Sequence, residues 1–299
     1  MRLPTHFVAF LLGAFLLGPD AVAAACPQHF LGATEPTLTN PKLAPKTRQI
    51  CYTEFAVLHS GLTRTPLWAA EHLTPRRAKG ARALNRLNNF HADPNLPANE
   101  RAELSDYFRS GFDRGHMAPA GDMTTPQGMD ESFSLANMIP QNSENNRNLW
   151  ESIERAVRDY SERHEIYVVT GPIFQGENLQ ALKGRVLVPT HIAKAIYDPQ
   201  SNIVGAYLAP NQPGNDYRVI SLTELQQLSG MDAFPQLPAS VKQTATSLPV
   251  PQLRRSRGGG RSVSRPPAEE RAPLPSPRPS TGGFVGDILD AIDQFGRRP

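Results

Sequence analysis

The chain has 299 residues, 39% apolar and 20% charged, with 29 prolines, 22 glycines and two cysteines. That balance excludes a wholly disordered chain. No apolar run reaches the roughly 18 residues of a membrane-spanning helix, and two cysteines exclude a disulfide-dense scaffold or a cysteine-rich zinc site. The net charge of +3 is unevenly spread: residues 235–299 hold ten Lys/Arg against five Asp/Glu, a net +5, which leaves −2 for everything upstream. The pI near 8.9 therefore comes from the C-terminal stretch, and polyanion binding elsewhere must rest on local clusters.

Residues 1–25 read as a signal peptide. Arg2 precedes the short apolar stretch Phe7 to Leu17, Gly13, Gly18 and Pro19 interrupt any long helix, and Ala21 to Ala25 offers small-residue cleavage sites. The expectation is an exported bacterial protein, periplasmic or extracellular. In an oxidising compartment Cys26 and Cys51 most simply pair with each other. The rival is lipidation of Cys26, but Ala23-Ala24-Ala25-Cys26 lacks the usual aliphatic residue and lipidation would strand Cys51.

Cys51 to His59 and Leu67 to Leu73 read as two strands of a hairpin turning over Gly61 to Pro66. Residues 75–103 are polar and loop-like, and 113–148, rich in Gly, Pro and Asn, read as a long ordered loop of the kind that carries function. Leu149, Trp150, Ile153, Ala156, Val157 and Tyr160 form a helical stripe. Strands are expected at Ile166 to Thr170, ending in a Gly171-Pro172 turn, and at 186–188, 193–197 and 203–208. A helix over Tyr217 to Leu228 ends at Gly230. Few helices among consecutive strands favour an α+β domain over 26–234, with a mainly antiparallel central sheet flanked by helices. Residues 235–299, with 11 of the 29 prolines, read as a disordered Pro/Arg-rich tail, with one short amphipathic helix available over 284–295.

Asp113-Arg114-Gly115-His116 packs an acid, a guanidinium and an imidazole around a glycine. Alone, a surface ion pair and a core histidine would explain it. A second cluster shifts the balance: Asn137, Gln141, Asn142, Asn145, Asn146 and Asn148 crowd the approach to the helix, and amides are poor helix formers. Asn146, Trp150 and Glu154 then fall along one helical flank, with Trp150 most simply core. An amide oxygen suits a hydrated Mg²⁺ that takes few protein ligands. HxxxH, CxxC and acidic clusters are missing, so zinc or a two-metal carboxylate site is not expected. One metal ligand beside one histidine points to phosphodiester hydrolysis.

These residues, with Ala118-Pro119, Asn137-Met138-Ile139-Pro140-Gln141 and Asn146 and Trp150 through Glu154, resemble the DNA/RNA non-specific endonucleases of the ββα-metal class. Thr65-Pro66-Leu67-Trp68, Tyr107 before Gly111-Phe112, Thr170 to Phe174 and Lys194 extend the resemblance over roughly 50–235. It implies the ββα-metal fold and a sugar-nonspecific endonuclease, cutting DNA and RNA to 5′-phosphate ends. It implies Mg²⁺ as cofactor, with Mn²⁺ able to substitute. His116 would be the general base, Asn146 the direct metal ligand and Arg114 the stabiliser of transition-state charge. Glu154 would order the water shell of the cation, and Asn137 would position the loop and substrate. Asp113 would brace the loop. Family members often carry a substrate-binding arginine before an aromatic and an Asp-Pro turn; here the aligned position is Asn88, and Arg86 stands in. DNA and RNA are the expected partners, and a homodimer and an inhibitor protein are further candidates. A domain that only binds nucleic acid, and a phosphodiesterase for another substrate, are the competing readings.

Overall fold

The computed structural model of the protein describes residues 25–253 except Glu177. Residues 1–24, which hold most of the expected signal peptide, and residues 254–299, with the helix expected over 284–295, lie outside the described residues.

In chain order the main elements are strands β1 (Thr47–Cys51), β2 (Ala56–Ser60) and β3 (Thr65–Leu73), helix α1 (Pro75–Ala81), strand β4 (Phe112–His116), helix α2 (Pro126–Ser132), strand β5 (Met138–Asn142), helix α3 (Glu151–Ser161), strands β6 (Ile166–Ile173), β7 (His191–Asp198), β8 (Ile203–Pro210) and β9 (Arg218–Ile220), and helix α4 (Leu222–Ser229). Seven strands form one sheet in the order β9-β8-β7-β6-β3-β2-β1, every neighbour antiparallel. The α+β expectation holds, and the β4–β5 hairpin followed by α3 is its ββα unit.

Alternation along the central strands assigns the two faces. Ile192 and Ile196 of β7 pack with Val168, Tyr207 and the α3 residues Ile153 and Val157. Ala193 and Ala195 pack on the opposite face with Val204, Ala206 and the α4 residues Leu222 and Leu225. Both faces are therefore covered, and α3 seats the ββα unit on the first. Cys26 and Cys51 form a disulfide, Cα–Cα 5.8 Å, that ties the N-terminal segment to the end of β1.

Several expected boundaries move. Cys51 to His59 is two strands rather than one, broken by a turn that Tyr52 N–H closes onto Phe55 O at 2.9 Å. Partners distant in sequence hold that turn. Tyr52 Oη donates to Asp93, and the buried Glu54 carboxylate accepts the N–H groups of Thr124 and Thr125 at 2.8 Å each. The expected loop at 75–103 begins with helix α1, capped by Thr74 with Pro75 in its first turn. The expected loop at 113–148 contains the β4–β5 hairpin and α2. β5 is almost wholly buried, so it shows no alternation. Strand β6 runs on through Gly171-Pro172, where a Cβ at Gly171 would lie 2.5 Å from Leu67 O of the neighbouring strand. Helix α4 starts at Leu222 under a Ser221 cap, because Arg218–Ile220 pairs with β8; Gly230, at φ +71°, closes it as expected.

The tail boundary at 235 also moves. Residues 235–253 are packed on the domain. Leu237 and Leu248 are buried, Thr246 N–H donates to Val204 O at 2.8 Å, and Tyr207 Oη donates to Pro249 O at 2.5 Å. The segment turns through one short helix, Ala239–Lys242, and then runs as a strap whose hydrogen bonds go to side chains and one sheet edge.

Candidate active site

The β4–β5 hairpin pairs Asp113 with Gln141 and His116 with Met138. Gly115 is required there, since a side chain would collide with the Gln141 amide. Two-residue alternation then sends Arg114 and His116 to one side of β4, where both line a cleft of about 710 Å³. Aromatic rings hold them. The Arg114 guanidinium lies 4.1 Å from the Phe90 ring centroid, and the imidazole meets Phe133 edge-on at 5.0 Å.

The opposite wall is helical. Asn142 caps the helical stretch by accepting from Glu144 and Asn145 N–H at 3.1 Å each. Residues Asn146–Trp150 form a π turn before α3, a local widening often found at functional sites. Asn146 and Glu154 both line the cleft, and Trp150 is fully buried in the core, as expected of each. Arg147, Glu151, Glu154 and Arg158 share the cleft wall at spacings of four, three and four, a helical stripe of charge legible in the sequence, of which Glu154 alone is an expected site residue.

Electrostatics separates the groups. His116 is 8% exposed with no hydrogen-bond partner for Nε2. Burial pushes its imidazole down to about 3, with Arg86 and Arg114 adding to the shift. Burial pushes the Glu154 carboxyl up to about 7 against the pull of Lys194 and Arg158. Burial alone would also raise Asp113, but hydrogen bonds from Arg147, Asn146 and Ser143 outweigh it and hold that carboxyl below its usual value. Beneath the cleft, Lys194 of β7 is buried and donates to Thr170 Oγ1 at 2.7 Å, opposite it in the sheet register.

Five of the six expected site residues meet in the cleft: Arg86, Arg114, His116, Asn146 and Glu154. Arg86 Nε donates to Asn88 Oδ1 at 3.0 Å and its guanidinium stands 5.4 Å over the Phe133 ring, so the arginine enters the cleft beside the asparagine that occupies the aligned position. Asn137 does not join them. It is fully buried, its Oδ1 accepting from Ala118 N–H at 2.9 Å and its Nδ2 donating to Ala118 O and Ser132 O at 2.8 and 3.0 Å. Of the two tasks expected of Asn137, positioning the loop and positioning substrate, its polar atoms serve the first, holding the loop that follows His116. Most of the other amides are likewise anchors, Gln141 donating to Asn145 at 2.9 Å and Asn145 to Pro210 O at 3.1 Å.

The residues present fit a hard divalent cation. Asp113 accepts from the Asn146 side chain at 3.0 Å, and an ionised carboxylate can only accept, so the amide presents NH₂ to Asp113 and keeps Oδ1 for the cleft. Glu154 adds a half-buried carboxylate to the same cleft. Oxygen donors this few suit a cation that retains most of its water. Among the described residues no group of three His, Cys, Asp or Glu could form a metal cage.

The family model for DNA/RNA non-specific endonuclease matches residues 35–240. The mitochondrial nuclease EXOG of Xenopus laevis is 34% identical over 264 residues, covering 76% of this chain and 73% of that protein. EXOG of Danio rerio is 37% identical, covering 62% of this chain and 60% of its own length, so the chain spans well under two thirds of that relative. Nuclease C1 of Cunninghamella echinulata is 36% identical, covering 62% of this chain and 82% of that protein. A solved EndoG, described in complex with EndoGI in a study of EndoG inhibition, superposes with a TM-score of 0.59 at 27% identity, covering 66% of this chain and 89% of the other. A family model matched over more than half the chain, around a cleft that gathers His116, Arg114, Asn146 and Glu154, shows that this protein belongs to the DNA/RNA non-specific endonuclease family.

Proposed function

We propose that the protein is an exported, Mg²⁺-dependent, sugar-nonspecific endonuclease. It hydrolyses DNA and RNA phosphodiesters with His116 as general base and leaves 5′-phosphate ends, and Mn²⁺ substitutes for Mg²⁺. The observation that carries this reading is the buried imidazole of His116, its Nε2 without a hydrogen-bond partner, lining one cleft with Arg114, Asn146 and Glu154.

Each residue has one task. Arg114 and Arg86 attract the phosphodiester and turn its charge toward the wall formed by β4. That incoming negative charge opposes the two arginines, raising the imidazole toward the range in which a base works best. His116 then accepts a proton from the water that attacks phosphorus. The bond from phosphorus to the 3′ oxygen breaks, and the phosphate stays on the 5′ side. Arg114 is placed to stabilise the charge that builds on the non-bridging oxygens. Asn146 Oδ1 and Glu154 would hold the cation, which supplies Lewis-acid stabilisation of the leaving group. Export is supported by the leader composition and by a disulfide that requires an oxidising compartment.

Plasmid degradation tests the reading. The protein should degrade plasmid and RNA with Mg²⁺ or Mn²⁺, stop with EDTA, and leave ends that ligase joins without prior phosphorylation. Cleavage that survives EDTA, or ends that need a kinase first, would refute it.

A further inference from the structure

At the rim of the cleft, residues 107–110 form a tight turn. Ser110 N–H donates to Tyr107 O at 3.1 Å, and Ser110 Oγ accepts from Phe112 N–H at 3.1 Å. The first corner, Phe108, has φ −61° and ψ 120°, and the second, Arg109, has φ +56°. This is the pattern of a type II turn, whose second corner favours glycine. An arginine there costs backbone strain.

What the strain achieves is visible. The Arg109 guanidinium stands 5.0 Å from the centroid of the Phe108 ring. Phe108 is 63% exposed, the most exposed aromatic among the described residues, so it contributes little to the core. With one face under the guanidinium, that exposure leaves the other open to solvent. The turn is held firmly: Arg185 Nε donates to Asp106 at 2.9 Å and Lys183 Nζ donates to Ser105 O. Its two ends belong to the cleft. Tyr107 and Phe112 both line it, and the Tyr107 hydroxyl is buried without a partner.

We infer that Phe108, backed by Arg109, is a base-stacking platform for single-stranded or locally unpaired nucleic acid leaving the cleft. The inference rests on the nuclease reading and extends it to substrate form. Strands held by their phosphates at Arg114 and Arg86 expose base faces at the rim, and a rigid aromatic with a cation on its far side is the surface on which a base stacks. Stacking reads the base and ignores the sugar, which suits a protein acting on both DNA and RNA.

The test uses the full chain and equilibrium binding to nuclease-resistant phosphorothioate oligonucleotides: a short oligothymidylate and an abasic strand of equal length. The wild-type protein should bind the base-bearing strand about five- to tenfold more tightly, at the lower end of what a stacked base contributes. Phe108→Ala should bind both strands alike, Phe108→Trp should restore the difference, and Arg109→Gly, which removes the strain, should lose part of it. Phe108→Ala retaining the full discrimination would overturn the platform, as would a wild type that shows none. Plasmid cleavage by the wild-type protein is measured in parallel, so failure of the nuclease reading is seen separately from failure of the platform. A turn that serves a protein partner instead would leave both affinities unchanged on substitution, which also overturns the inference.

Discussion

Asp113 Oδ2 accepts a hydrogen bond from Asn146 Nδ2 at 3.0 Å, and that contact decides which atom of the amide faces the cleft. Arg147 clamps the same carboxylate at 2.7 and 2.8 Å. Asp113 therefore acts through Asn146. Asp113→Ala should raise the Mg²⁺ concentration needed for half-activation about 10- to 100-fold, the usual range for a residue that orients a metal ligand. A magnesium titration checks it, and an unchanged half-activation point would place the cation elsewhere.

Asn137→Ala should act on the fold. It would leave Ala118 N–H, Ala118 O and Ser132 O unpaired in the interior, where each orphaned group costs about 1–3 kcal/mol. Urea denaturation should show a loss of about 2 kcal/mol or more. DNA affinity per folded molecule should be unchanged; a stable variant with weakened DNA binding would return Asn137 to the substrate.

The sequence was most legible where one local rule decided the outcome. Asp113 to His116, the α3 stripe and the Gly230 stop carry their meaning in a few residues, and His116, Arg114, Asn146 and Glu154 meet as expected. Legibility failed where distant groups decide. The turn at Tyr52–Phe55 depends on Asp93, Thr124 and Thr125. The β4–β5 hairpin is too short and too buried to show a period. The two tasks expected of Asn137, on the loop and on substrate, are not separable in a sequence, because a buried amide and a binding amide are the same residue type. The packed strap over 235–253 was hidden by proline content, which signals an absence of regular structure without excluding a path held by Val204 and Tyr207.

Glu154 gives a pH dependence. Its carboxyl titrates near 7 in the folded metal-free protein, above its ordinary value of 4.5, so between those values the folded state binds a proton that the unfolded state lacks. Stability from this group is present below about 4.5 and is lost as pH rises through 7. Cation binding must displace that proton, so affinity should climb with pH, by up to about tenfold per unit, and level off above 7. Calorimetry in two buffers of different ionisation enthalpy should register proton release near pH 6. Affinity independent of pH across that range would exclude Glu154 from the cation site.

The strap and the tail have separable roles. The Arg155 guanidinium bridges the two sides, donating to Gln252 O at 2.5 Å and to the cleft residue Glu151 at 2.9 Å. The strap therefore touches, at Gln252, an arginine that also binds a cleft residue, and in the sequence Arg254, Arg255, Arg257, Arg261 and Arg265 come next. Truncation after 240 should destabilise the domain by removing Thr246, Leu248 and Pro249. Truncation after 253 should leave fold and kcat unchanged and raise KM on long DNA at low salt, with the difference fading as salt screens the charge. Equal KM for the full and 253-truncated chains at low salt would make the tail a spacer.

The central claim is that His116 is the base. The direct measurement is single-turnover cleavage of a defined oligonucleotide by wild type and His116→Ala at saturating Mg²⁺, with affinity measured alongside. The rate should be about 10²- to 10⁴-fold lower in the variant, with nearly unchanged affinity. A variant that cuts at the wild-type rate would contradict it.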